Sequence, residues 1–189
     1  LGNLNGFQDL ITVESFRDYI DNLGSDSLLV YFDVDPIVPE KVKTVEAGYR
    51  GFFFGKLYVD ASYYFSLYDD FIGYQLGVQS TFDTVIGFPQ NPVAYRVSAN
   101  SRNQVTTQGF SIGLSYYFKN KYSLTGNYSW NRLEKTDEND PIIPAFNTPE
   151  HKFNVGFSGR DLGKEKIGFF GFSLNYKWIK GFIFEGSPQ

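Results

Sequence analysis

Cysteine is absent from the 189-residue chain, which excludes disulfide frameworks, thiolate zinc sites and catalytic thiols. Methionine is absent too, and Leu1-Gly2-Asn3 resembles neither a start nor a processed end, so the chain reads as an internal piece of a longer protein. A basic excess is lacking: the net charge is −4 and the pI about 5.0, which removes the electrostatic footprint that nucleic-acid binding needs. No run approaches the roughly 18 apolar residues of a membrane helix, and no signal peptide with a basic start and an apolar run is visible. If this chain crosses a membrane, strands must do it.

What is abundant is aromatic: 20 Phe, 14 Tyr and 2 Trp make 19% of the residues. Such side chains suit the pleated surface of β-strands and the membrane–water boundary better than helices. From about residue 42 they alternate with small polar residues. Leu57, Val59, Ala61, Tyr63, Phe65 and Leu67 interleave with Tyr58, Asp60, Ser62, Tyr64, Ser66 and Tyr68. Successive strand side chains point to opposite faces, so this run has one apolar and one polar face. The pattern recurs at Phe110–Phe118, Tyr122–Asn131, Phe153–Ser158 and Phe170–Trp178, and more weakly over Thr44–Arg50. A weak echo (Asp60–Phe65, Gly113–Phe118, Ser173–Trp178) is convergent strand chemistry rather than a solenoid repeat.

Connections alternate as well. Short ones sit near Phe54–Lys56, Lys119–Lys121 and Arg160–Lys166; long ones sit near Ser80–Tyr95 and Glu134–Thr148. Tight turns on one side and long loops on the other are the habit of outer-membrane barrels. The polar face is Ser, Asn, Thr, Gly and Tyr with few charges, whereas a soluble barrel turns Lys and Glu to water. The fold expected is therefore all-β: a transmembrane antiparallel β-barrel represented by about six consecutive strands over residues 42–189. Six strands leave two open edges, and unpaired backbone groups in hydrocarbon cost several kcal/mol each. Further strands are expected after Gln189. Residues 1–41 are expected to form an extracellular loop segment with a short helix. Ser15 would cap it, Phe16, Tyr19, Ile20 and Leu23 would share a face, and Gly24 would end it. Leu28–Phe32 is a candidate strand, and Pro36 and Pro39 break structure before the first barrel strand.

Two stretches carry a family resemblance. Pro39-Glu40-Lys41-Val42-Lys43-Thr44-Val45-Glu46-Ala47-Gly48-Tyr49-Arg50-Gly51 resembles a signature of TonB-dependent receptors. Pro141-Ile142-Ile143-Pro144-Ala145-Phe146-Asn147-Thr148-Pro149-Glu150-His151-Lys152-Phe153-Asn154 is similar to a late-barrel motif of such receptors from Bacteroidota. The resemblance covers residues 39–189. It implies a 22-strand barrel in outer-membrane lipid, occluded by a plug domain that this chain does not contain. It also implies import of a scarce small ligand (siderophore, vitamin, peptide or sugar), driven through the plug by TonB with ExbB and ExbD. A structural or adhesive barrel and a plug-free porin are the alternatives.

No enzyme motif is found: nucleophile elbow, phosphate loop and metalloprotease patterns are missing. No cofactor is expected. The acidic runs Asp33-Val34-Asp35 and Asp137-Glu138-Asn139-Asp140 match no EF-hand spacing and read as solvated loop charges. Asp69 and Asp70 are adjacent on a strand and point apart, so they do not form an acid–base pair. His151, the single histidine, is expected at a loop–strand junction. Asn127-Tyr128-Ser129 falls mid-strand and is a chance sequon. The candidate ligand-contacting loop is Ser80–Asn100, with Phe82, Phe88, Tyr95 and Arg96, because exposed aromatics and Arg concentrate binding energy.

Overall fold

The structure, a computed structural model, describes residues 3–22, 26–83, 87–119, 121–135, 140–143, 146–165 and 168–184. Ten strands and one α-helix are found among them: β1 (Phe7–Ile11), α1 (Val13–Asp21), β2 (Tyr31–Val34), β3 (Lys41–Phe53), β4 (Leu57–Asp69), β5 (Ile72–Phe82), β6 (Pro89–Asn100), β7 (Val105–Phe118), β8 (Tyr122–Lys135), β9 (His151–Lys164) and β10 (Gly168–Ile179).

Six of the strands make one antiparallel sheet in the order β10-β9-β8-β7-β4-β3. These are the six alternating runs. Neighbours in the sheet follow one another in the chain, apart from the β5–β6 excursion. The ends of β3, β7 and β9, where the short connections leave, therefore lie at one end of the sheet, and the ends of β4, β8 and β10 at the other. At the short end the chain reverses by way of left-handed residues: Phe54 and Gly55 have φ of 52° and 65°.

The pairing register carries each apolar row across the sheet. Gly51, Val59, Leu114, Gly126, Val155 and Tyr176 stand in line, all on the apolar face. On the other face Ser62 opposes Ser111, which opposes Ser129. Hydroxyl pairs stitch that face together: Thr44–Ser66 at 2.9 Å, Ser62–Ser111 at 2.8 Å and Ser123–Ser158 at 2.7 Å. The Tyr64 ring lies over Gly109, where a Cβ would come within 2.6 Å of it, and its hydroxyl donates to Asn131.

Among the described residues nothing covers the apolar face. Val45 and Leu174 are 73% and 70% exposed. Such a surface is far beyond the isolated exposed leucines of a soluble protein. Its rings gather into two clusters. One holds Phe110, Tyr128, Trp130, His151, Phe153, Tyr176 and Trp178; the other holds Tyr116, Phe118, Tyr122, Phe157 and Phe172. Between them run the small and aliphatic residues of the Gly51–Val155 row. From Trp130 to Tyr122 is about 26 Å along the strand at roughly 3.3 Å per residue. Strand tilt shortens this to roughly 20 Å along a membrane normal, and the rings extend the band on both sides, close to the roughly 25 Å expected of a barrel's apolar belt. Beyond the first cluster the same face turns polar, with the Arg132–Glu134 ion pair at 2.9 Å.

The residues before β3 carry more regular structure than a loop. β1 and β2 join β5 and β6 in a second, four-stranded sheet of order β2-β1-β5-β6. The helix is capped by Thr12 rather than Ser15; Thr12 Oγ1 accepts the Ser15 N–H, and the Asn22 N–H closes the last turn on Asp18 O. Thr is a good cap, though ranked a little below Ser, and with the helix started at Thr12 the Tyr19 side chain is buried. Tyr19 is buried, but Ile20 is exposed; Leu23 and Gly24 lie outside the described residues. The strand expected at Leu28–Phe32 is shifted to Tyr31–Val34, preceded by a 3-10 turn at Asp26–Leu28. The connection expected near Ser80–Tyr95 is the end of the long β5–β6 hairpin.

Candidate functional site

Three chain segments that are remote in sequence converge at the long-connection end of the large sheet: residues 3–40, 70–104 and 140–143. Their small core contains Leu10, Val34, Val97, Ala99 and Ile142, with Phe7, Phe32 and Tyr95 packed against it. One edge of β5 is shared. β1 pairs to it at Ile11–Val78, and lower down Tyr74 and Ile143 exchange both backbone hydrogen bonds at 3.1 and 2.8 Å. Gly73 makes this possible, because a Cβ there would sit 2.5 Å from both Ile142 Cγ2 and Ile143 O.

Side-chain amides clamp the segments. Asn3 is buried and donates to the Asp35 and Ser98 carbonyls at 2.6 and 3.1 Å. Asn100 donates to the carbonyls of Asp70 and Val38 and accepts the Val38 N–H. Asp140 is buried, bonded to the Ser101 hydroxyl and, at 2.9 Å, to the Ile142 N–H. A buried carboxylate needs such donors to offset its lost hydration.

Between the segments lies a cavity of about 510 Å³. Asp33, Asp35, Asp70, Gln75, Asn100, Arg102, Asn103 and Asp140 supply its polar lining, and Phe32, Val34, Ala99 and Ile142 its apolar lining. The size suits a small ligand. The carboxylates are already engaged: Asp35 with Arg102 at 3.7 Å, Asp70 with Lys41 at 3.3 Å, and Asp33 accepting the Asp9 N–H at 3.0 Å. No grouping of three metal-ligating side chains occurs among the described residues. The cavity can therefore hold a polar, hydrogen-bonding guest but presents no cation cage. The acidic runs were visible in the sequence; that Asp33, Asp35 and Asp140 share one wall was not, because they come from segments about a hundred residues apart.

The residues singled out in the β5–β6 hairpin do not meet at one point. Phe82 stands edge-on to Tyr19 with ring centroids 5.2 Å apart, and the Tyr19 hydroxyl donates to Gly87 O, so α1 braces the hairpin end. Phe88 is 60% exposed at the turn. Tyr95 packs against Phe7 at 5.7 Å on the core side. Arg96, its neighbour, points to the opposite face and lies 3.4 Å from the Tyr74 ring centre.

At the rim of the large sheet, His151 opens β9 on the apolar face. Its Nδ1 is 2.7 Å from the Tyr128 hydroxyl, and its Nε2 lies 3.6 Å from Glu150. Glu150 also accepts Lys180, whose ammonium holds the carboxyl below its ordinary 4.5. The polar face forms a second long surface, with a groove of about 540 Å³ that includes Asp60, Tyr64, Ser111, Asn127, Asn131 and Lys152.

Residues 13–187 match the family model described as TonB dependent receptor-like, beta-barrel. That match spans all six strands of the large sheet and both sides of the cavity at its long-connection end. No curated protein and no solved structure matches the chain.

Proposed function

Because the chain belongs to the TonB-dependent receptor-like β-barrel family, we propose that it forms six strands of an outer-membrane receptor wall that imports a scarce ligand. The family's barrels are outer-membrane transporters and receptors, and the large sheet is a partial barrel. The observation that supports the reading is the two-sided sheet. A band of uncovered apolar and aromatic side chains faces one way, and a hydroxyl- and amide-lined surface faces the other. A wall with lipid outside and a polar lumen inside, filled with water or another protein domain, accommodates both faces at once. Short turns then point to the periplasm and the apical module to the medium. There the 510 Å³ cavity and the β5–β6 hairpin with Phe82, Phe88, Tyr95 and Arg96 meet arriving ligand. The plug, TonB, ExbB and ExbD are the partners that the resemblance supplies.

The test is growth of a strain lacking this gene on limiting siderophore-bound iron, haem, cobalamin, peptides or glycans, each as sole source. The reading expects loss of growth on one of them, reproduced by deleting the TonB system. Steady, open conductance of the purified protein in planar bilayers would instead make it a porin.

A further inference from the structure

We propose that the polar face of β8–β10 is an anion-binding track, and that the imported ligand carries carboxylate or phosphate groups. The proposal deepens the receptor reading, since it takes the polar face to be the lumen wall.

The observation is a set of like-charged neighbours that the register forces together. Tyr122 opposes Gly159, and the Arg160 N–H donates to the Lys121 carbonyl at 2.9 Å, so Lys121 and Arg160 are direct cross-strand partners. Both line one depression of about 420 Å³ with Tyr117, Ser123 and Ser158. Like charges directly opposite each other destabilise a sheet. Among the described residues the Lys121 ammonium donates to the Asp161 carbonyl, at 2.8 Å. Toward the apical end, Lys177 opposes Asn154 while Lys152, two residues along, opposes Ile179, which makes a second, diagonal pair of cations. No carboxylate lies within ion-pair distance of any of the four among the described residues.

One carboxylate, Asp161, follows Arg160 at the β9 bulge without an ion pair to it, and the other anions of this face stand on β3 and β4. Asp60 is held by Arg50 at 2.8 Å and by the Tyr58 hydroxyl, and Glu46 stands on β3. The two cation pairs are about 20 to 26 Å apart along the strand, at roughly 3.3 Å per residue, Lys177 lying level with Asn154. Amide and hydroxyl groups fill the interval: Asn127, Asn154, Asn175, Ser158 and Ser173. Beside Lys152, the Ser129 oxygen is buried with no hydrogen-bond partner among the described residues. Two unneutralised cation pairs joined by neutral donors form a surface that becomes favourable when an anion occupies it.

These 189 residues contain no cysteine, so in a full protein cleared of any cysteine elsewhere a single one reports locally. Asn154→Cys is placed between the pairs in the full protein, and its reaction rates with anionic and cationic methanethiosulfonates of equal size are compared. A local potential on the order of 1 kT acts oppositely on the two reagents and favours the anionic one by about 7-fold. Lys121→Gln with Arg160→Gln, and Lys152→Gln with Lys177→Gln, each lower that ratio, and citrate or pyrophosphate slows labelling of the parent. Protection by pyrophosphate alone assigns the track to phosphates; protection by citrate alone assigns it to carboxylates.

Equal rates for the two reagents, or no protection by either probe, overturn the proposal. A cysteine unreactive to both reagents until urea is added means that a protein segment covers the face, and this also overturns it. Leu174→Cys separates the two levels. If in membranes it reacts while Asn154→Cys does not, the sheet is inside out and the receptor reading falls as well. If uptake persists while the ratio stays at one, only the anion track falls.

Discussion

Arginine at Leu114 gives the sharpest test of which solvent meets the apolar face. Leu114 sits on the central strand β7, opposite Val59 and Gly126, midway between the two aromatic clusters. It is 43% exposed within this chain. If water bathed that exposure, Leu114→Arg would fall within about 0.5 kcal/mol of neutral, as exposed substitutions do. In hydrocarbon, a charge at mid-depth on a barrel's outer face costs about 2–4 kcal/mol, falling to about 0–1 near the interfaces. At about 1.4 kcal/mol per tenfold, this is a loss of roughly 30- to 700-fold in the folding equilibrium. Ser115→Arg, one residue along on the polar face, is expected to cost less than about 1 kcal/mol. Thr106→Arg lies on the same face as Leu114 but beyond the ring cluster, opposite Glu134, and is expected to be near neutral. Urea unfolding of the full protein from phosphatidylcholine vesicles, followed by tryptophan emission, measures all three. Equal stabilities for Leu114→Arg and Ser115→Arg would refute the lipid-facing assignment.

Trp130 and Trp178, both in the cluster nearer the apical end, should be quenched more by lipids brominated near the headgroup than by those brominated near the chain ends; the reverse order would move that cluster to mid-membrane. Leu10→Ala removes a side chain that is 1% exposed in the apical core and should destabilise the module by about 2–5 kcal/mol. Limited proteolysis of intact cells should then nick the apical segments while the barrel persists. Lys180 depresses the Glu150 carboxyl, so the contribution of their contact is complete above pH 4.5 and is lost as pH falls through the lowered native value. Trp178 emission should report loosening at the apical end of β10 only in acid, and Glu150→Gln should abolish that pH dependence.

The barrel wall was legible because its signals are local. A period of two, with Phe and Tyr on one phase and Ser and Asn on the other, determines strands and faces whatever the rest of the chain does. The three short turns set the end at which hairpins close. The helix was legible as an amphipathic segment but not in its start, since Thr12 and Ser15 both bear capping hydroxyls and only the packing of Tyr19 against Phe82 and Gly87 chooses between them. In the sequence the candidate hairpin residues stand in one exposed loop; in the fold, pairing of β5 with β6 sends Tyr95 and Arg96 to opposite faces.

The sequence by itself determined that this chain makes two-sided strands with one face for lipid, because side-chain alternation is a property of each strand alone. Tertiary structure decided the apical module, where residues 3–40 reach β5 and Ile143 completes its edge. It also decided the meeting of Lys121 with Arg160. Those contacts depend on loop closure over long separations and on the register between strands, which no single segment carries.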